Sequence, residues 1–111
     1  ENKKELYPPA TPEMSKKTAD LAPEIAEAFK NFSRTVFKAG VLDEKTKQLI
    51  AVAVAHVTQC PYCIKSHTQV ALKKGATNEE LMEAIWVASE MRAGAAYAHS
   101  AIAIQGMEIT E

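Results

Sequence analysis

The sequence contains only two cysteines, Cys60 and Cys63, and just two residues separate them. Two cysteines are too few for a disulfide scaffold, in which several bridges replace a large hydrophobic core. In a reducing compartment, a C-x-x-C pair is more often catalytic or metal-binding than structural. The two thiols are therefore the first candidates for a functional site.

The chain also lacks the features that point to membranes, secretion or nucleic acid. No apolar run reaches the roughly 18–20 residues that a membrane-spanning helix requires. The N-terminal stretch is polar and carries no apolar secretion segment, so we expect a cytoplasmic protein. The net charge is only -1. This balance gives no electrostatic reason to expect binding to nucleic acid or to an anionic membrane.

Strand signals are absent from the sequence, because no stretch alternates apolar and polar residues between turns. Apolar residues instead recur every three or four positions, which is typical of helices. We predict one all-α domain of about six helices over residues 1–111, with an extended arm at 1–11. Gly40 and Gly75 are natural ends for the second and fourth helices. The predicted helices begin at Pro12, Pro23, Glu44 and Pro61 and after Thr77, and the last covers 93–104.

Apolar residues make up 47% of the sequence, and two helical segments contain almost nothing else. The run 49–55 is entirely apolar, and residues 93–104 are mostly small and apolar. Such helices belong in a core or at a subunit interface. A chain of this length buries only about two-thirds of its unfolded surface by itself. The sequence therefore favours an oligomer.

The stretch QCPYCIKSH places both cysteines at the predicted start of a helix. Cysteine reacts as a thiolate, and the ordinary thiol pKa of about 8.5 must fall for that to happen at neutral pH. A helix N-terminus supplies partial positive charge and unpaired N–H groups. His67 lies four residues beyond Cys63 on the same helical face, where its imidazole can take the thiol proton. With Cys60 one turn away to close a disulfide, the pattern indicates a reactive dithiol.

Two other interpretations of this stretch stay open on the residues alone. Buried structural thiols are common in cores, but they need neither a histidine on the same face nor a helix start. The pattern H-x3-C-x2-C-x3-H also matches zinc in the number and type of ligands. Structural zinc sites, however, usually draw their ligands from two separated segments, so we expect no metal and no cofactor. The four residues of the zinc pattern are His56, Cys60, Cys63 and His67.

The segment EKTKQLIAVAVAHVTQCPYCIKSHTQVALKKGATNEELMEAIWVASEMRAGAAYAHS resembles the carboxymuconolactone decarboxylase and AhpD-like alkylhydroperoxidase family. The similarity covers about residues 37–105 and rests on C-x-x-C-x-x-x-H, followed by ALKKGAT and the EEL-EAI helix. The resemblance implies an all-helical domain that assembles as a homotrimer or homohexamer. It also implies reduction of a small hydroperoxide without metal or haem.

Within the AhpD-like branch, the resemblance implies a role for each residue of the motif. Cys63 attacks the peroxide, and Cys60 then closes a disulfide that an external dithiol or disulfide reductase must reopen. His67 matches the family histidine that deprotonates the attacking thiol. The decarboxylase branch lacks the paired cysteines, so decarboxylase activity is not expected.

Gln48 stands where the peroxidases of the family carry a glutamate, twelve residues before the first cysteine. An amide can form hydrogen bonds but cannot take a proton near neutral pH, so the proton relay must be different or weaker. His56, one turn before Cys60, is the nearest substitute, and it is equally well explained as a hydrogen-bonded histidine on an apolar helix. As a relay residue, His56 would affect thiolate formation more than Gln48. The departure also keeps open a non-catalytic oligomeric protein with a structural or redox-sensing role.

Overall fold

The computed structural model describes residues 6–109. The first five residues of the predicted arm and residues 110–111 lie outside the described residues. Over the described range the chain forms helices and no strands, which confirms the all-α prediction. The five helices are α1 (Pro12–Leu21), α2 (Pro23–Phe37), α3 (Glu44–Thr58), α4 (Pro61–Lys73) and α5 (Asn78–Met107).

Five helices are found rather than about six because α5 runs through the last two predicted segments. It is continuous over 30 residues and contains Gly94 in its interior. A single glycine within a helix costs only roughly 0.5–1 kcal/mol relative to alanine, which is too little to end a long helix. Although α5 is long, no helix within residues 6–109 is both long and apolar enough to cross a membrane.

The helix starts follow local capping signals. The side chain of Asp43 accepts a hydrogen bond from the first turn of α3, and Thr77 and Glu80 form a reciprocal capping box at the start of α5. Each cap of this kind stabilises a helix by about 1 kcal/mol. Gly75 has a φ of 100° after α4, a left-handed conformation that favours glycine. The helix α2 ends at Phe37, before the predicted stop at glycine, because the next residue is already extended.

Two of these capping carboxylates have a lowered pKa. Hydrogen bonds from the side chain and the backbone N–H of Thr46 lower the pKa of Asp43 below its ordinary value of 3.8. The hydrogen bond from Lys45, followed by the one from the Thr77 N–H, lowers the pKa of Glu80 below 4.5. A group whose folded pKa is lowered stabilises the fold above its unfolded pKa. That contribution is lost as the pH falls through the folded value.

We therefore expect the unfolding temperature to decrease as the pH falls below about 4. Asparagine also caps helices but does not titrate, so Asp43→Asn should have a flatter profile of unfolding temperature against pH in this range. Thermal unfolding followed by circular dichroism between pH 2 and 6 measures both profiles. Identical slopes for the two proteins would show that the Asp43 cap does not titrate with folding.

The chain divides into two compact units, residues 1–38 and 39–111. The first unit holds α1 and α2, and neither helix contains a buried residue. Apolar side chains of α2 are exposed, and the rings of Phe29 and Phe32 lie 6.3 Å apart. The exposed large apolar residues of this helix are Ile25, Phe29, Phe32 and Val36.

The second unit has α3 at its centre, packed against both α4 and α5. Its core is small, and Gln48 on α3 is the one buried polar residue within the described range, with 5% of its surface exposed. Because Gln48 lies on the packed face of α3, its amide reaches the candidate functional site. The main apolar cluster is formed by Val52, Ala71, Ala76 and Leu81, with Leu49 and Ile85 packed against it, and Ala55 and Ala88 are also buried.

The second half of α5 contributes almost nothing to this core. From residue 92 to 107, only Gly94 is even half-buried. Tyr97 is 82% exposed, and Ile102 and Met107 are also exposed. Exposed large apolar side chains that form a patch often mark an interaction surface.

Candidate functional site

The two cysteines lie at the short turn between α3 and α4. Cys60 and Cys63 form a disulfide with their Cα atoms 5.2 Å apart, within the usual range of about 4.4–6.8 Å. Cys60 is the N-cap of α4, and its Sγ accepts a hydrogen bond from the backbone N–H of Cys63 at 3.2 Å. Pro61 occupies the first helical position, where no N–H is needed. The site is therefore a dithiol pair, in its oxidised form, at a helix N-terminus.

Hydrogen bonds that no local sequence pattern indicates hold the turn before Cys60. Gln59 ends α3 in a left-handed conformation with φ 58° and ψ 53°, which few residues other than glycine adopt. The backbone N–H groups of Gln59 and Cys60 both donate to the carbonyl of Ala55. Arg92 of α5 donates Nη1–H to the carbonyl of Val57 at 2.7 Å. A glutamine in a sequence does not indicate a left-handed conformation. Arg92 lies 35 residues from the Val57 carbonyl, so no local pattern predicts their hydrogen bond.

His67 lies on α4 one turn beyond Cys63 and is half-buried. Its Nδ1 is 2.8 Å from Oε1 of Gln48, which belongs to α3. The packing of α3 against α4 thus joins the amide to the imidazole, while the α4 helix itself places the imidazole on the same face as Cys63. Among the five candidate residues, a hydrogen bond joins Gln48 to His67 and a disulfide joins Cys60 to Cys63, while Cys63 and His67 both belong to α4.

His56, the fifth candidate, is directed to its own helix. Its Nδ1 lies 2.8 Å from the carbonyl oxygen of Val52, one turn earlier on α3. The ring therefore donates an N–H to the backbone, which is one of the two explanations that the sequence offered for this histidine. A part for His56 in the proton relay stays a prediction.

The zinc interpretation finds no geometric support in the described part of the chain. Among residues 6–109, no group of three or more histidine, cysteine or acidic side chains is arranged to hold a metal ion. The two sulfurs are bonded to each other and are not thiolates in this state. What the arrangement offers is thiol–disulfide exchange next to an imidazole.

A comparison with protein families places this geometry in context. The profile of the carboxymuconolactone decarboxylase family matches residues 23–105. The chain belongs to the carboxymuconolactone decarboxylase family. The match includes the turn with both cysteines, the α3 and α4 helices that carry Gln48 and His67, and most of α5. The family resemblance seen in the sequence is therefore confirmed.

The chain is also similar in sequence to curated proteins and in fold to solved structures. The "Uncharacterized protein 4 in cox locus" of Paracoccus denitrificans is 63% identical over 83 residues, which are 75% of each chain. A crystal structure of a Methanobacterium thermoautotrophicum protein is 40% identical with a TM-score of 0.73, over 77% of this chain and 96% of that one. A Thermotoga maritima family member, for which a role in antioxidative response has been suggested, is 26% identical with a TM-score of 0.54. That match covers 72% of this chain and 92% of that one.

Proposed function

We propose that this family member is a thiol-dependent hydroperoxide reductase and not a decarboxylase. The observation that carries the proposal is the disulfide between Cys60 and Cys63 at the start of α4, with His67 one turn further on the same helix. A nucleophilic thiol, a base and a second thiol are the groups that peroxide reduction by a dithiol requires. The antioxidative role suggested for the Thermotoga maritima relative supports the same chemistry.

The first half of the proposed reaction oxidises Cys63. In the reduced protein, His67 takes the proton of the Cys63 thiol, and the thiolate attacks the terminal oxygen of a small organic hydroperoxide. The O–O bond breaks, and the alkoxide leaves as an alcohol after taking the proton back from the imidazolium. Cys63 is then a sulfenic acid.

The second half returns the pair to its reduced state. The Cys60 thiolate attacks the sulfur of the sulfenic acid, which forms the disulfide and releases hydroxide. That hydroxide becomes water with the proton that the Cys60 thiol gave up. In the oxidised protein the N–H of Cys63 donates to Sγ of Cys60, and a donor kept at this position in the reduced protein would favour the thiolate needed for this step. An external dithiol or a disulfide reductase then supplies two electrons and two protons through a mixed disulfide.

Peroxide consumption over a panel of reductants tests the proposal. The reduced protein is mixed with tert-butyl hydroperoxide and, in parallel, with a dihydrolipoyl carrier, thioredoxin or glutathione, each with its recycling reductase. We expect alcohol formation with turnover for at least one reductant. A cycling dithiol needs a reducing compartment, so we place the protein in the cytoplasm. No turnover, with a change of assembly size on oxidation, would support a redox-sensing role instead.

We further propose that the protein is a homo-oligomer, a trimer or hexamer as the family resemblance implies, and that the second half of α5 takes part in the interface. The exposed Tyr97 and Ile102 on this segment support the proposal. Light scattering coupled to size exclusion should give a mass well above the 12.1 kDa of one chain. Tyr97→Asp should reduce that mass, whereas Gln69→Asp, which adds the same charge at an exposed site on α4, should not. An unchanged mass in Tyr97→Asp would remove α5 from the interface.

A further inference from the structure

We propose that Gln48 is the positioning residue for the His67 base. It holds the imidazole in one tautomer, and because it is an amide, it does not itself take the proton that the imidazole receives. This inference deepens the proposed function and rests on it, since it concerns how the Cys63 thiol loses its proton. The observation behind it is the juxtaposition of a buried amide on α3 with the ring of His67 on α4.

The burial of Gln48 requires a partner for its polar atoms. A buried amide without hydrogen bonds is strongly unfavourable. Its Oε1 lies 2.8 Å from Nδ1 of His67. A buried apolar side chain would suit the packing at this position of α3 better, so the amide at this position fits a polar role toward the imidazole.

The direction of this hydrogen bond fixes the tautomer of His67. A carbonyl oxygen can only accept, so Nδ1 of the imidazole carries the proton and donates it to Gln48. The lone pair of the neutral ring is then on Nε2. When a hydrogen bond fixes the proton on one nitrogen of a histidine, the other nitrogen carries the lone pair, as in the histidines that ligate metals. In His67 that lone pair accepts the proton of Cys63.

The charge at position 48 decides how far the proton can travel. A carboxylate in this place would stabilise the imidazolium and could share its proton, but an amide can do neither near neutral pH. Five of the other ionisable side chains on α3 and α5 contact partners other than His67. His56 donates to its own helix. The remaining contacts are Glu44 with Lys74 at 2.9 Å, Lys45 with Glu80 at 2.8 Å, and Arg92 with the Val57 carbonyl at 2.7 Å.

The consequence is that Gln48 does not share the proton that His67 takes from Cys63. From the Gln48 contact we expect the opposite order of effects to the one that the sequence alone suggested. Position 48 should influence the reactivity of Cys63 more than position 56 does.

The tautomer is tested directly by nitrogen NMR on the reduced wild-type protein, labelled with ¹⁵N in its histidines. We expect the neutral His67 ring to show a protonated Nδ1 and an unprotonated Nε2. A protonated Nε2 would mean that the amide of Gln48 is turned, with its NH2 group toward the ring, and would overturn the proposal. This measurement needs no variant, so it does not depend on whether a substituted protein folds.

The charge argument is tested by the alkylation rate of Cys63 against pH. The parent protein is Cys60→Ser, in which Cys63 is the only thiol. Adding Gln48→Glu should shift the midpoint of the profile to lower pH by about one unit or more, because the carboxylate stabilises the imidazolium that pairs with the thiolate. Adding Gln48→Met, which keeps the volume but has no acceptor, should slow alkylation at pH 7 by about tenfold or more. His56→Ala should have a smaller effect.

The two substitutions at position 48 separate positioning from packing. A purely structural glutamine would make both variants less stable without moving the pH midpoint. If the Gln48→Glu profile coincides with that of the parent, the proposal is wrong. Neither experiment uses a peroxide. A failure to reduce hydroperoxides would therefore refute the proposed function without deciding whether Gln48 positions His67.

Discussion

Cys63→Ser should abolish catalytic reduction of organic hydroperoxides and leave only the uncatalysed background. A serine hydroxyl stays protonated at neutral pH and is a far weaker nucleophile than a thiolate, so the first step of the proposed cycle has no attacking group. The measurement is alcohol formation from tert-butyl hydroperoxide in the presence of the best reductant of the panel. Turnover equal to that of the wild type would rule out Cys63 as the nucleophile.

Cys60→Ser is the matched control, because it removes the other sulfur from the same helix start. Without added reductant, this variant should consume about one equivalent of hydroperoxide per chain and keep Cys63 as a sulfenic acid, since no second thiol closes the disulfide. A sulfenic-acid reagent such as dimedone should label Cys63. If Cys63→Ser shows the single turnover and Cys60→Ser does not, Cys60 is the nucleophile and the order of the two cysteines is reversed.

His67→Asn should slow hydroperoxide reduction at pH 7 by roughly 10²–10⁴-fold, the usual contribution of a positioned base. The loss should become smaller as the pH rises toward about 8.5, the ordinary pKa of a cysteine thiol, because the thiol then ionises without help. The single-turnover rate of Cys63 oxidation between pH 6 and 9 measures this dependence in both proteins.

Lys65→Ala serves as the control for this experiment, since it changes an exposed residue on the same helix. Its pH profile should follow that of the wild type. A loss in His67→Asn that is constant over the whole pH range would show that the imidazole supports the local structure and does not act as the base.

Most helix boundaries could be predicted because their causes are local. A proline at the first helical position, the Asp43 cap and the Thr77–Glu80 box each act within one turn of the chain. The continuity of α5 could not be predicted in the same way. Gly94 and its small neighbours suggest a break in the helix. The intrinsic cost of one glycine is nevertheless low, and the sequence does not show how little helix stability is lost at this position.

The site was predictable to the extent that it is contained in one helix. Cys60, Cys63 and His67 are spaced by three and four residues, so a helical reading places them together. The bond between Gln48 and His67 spans 19 positions and depends on how α3 packs against α4, which no local pattern shows. Family resemblance drew attention to Gln48, but only the packing of the helices shows that it contacts the imidazole.

The uneven packing of α5 has a consequence for its helix–coil equilibrium. Isolated helices shorter than about 12–15 residues are barely stable in water, and residues 92–107 have almost no buried contacts of their own. Their helicity is propagated from the first half of α5, which is held against α3, and each added turn exposes more apolar surface. We therefore expect cover over this surface to stabilise the second half of α5. Without cover, the last turns of α5 should be the first part of this helix to unwind.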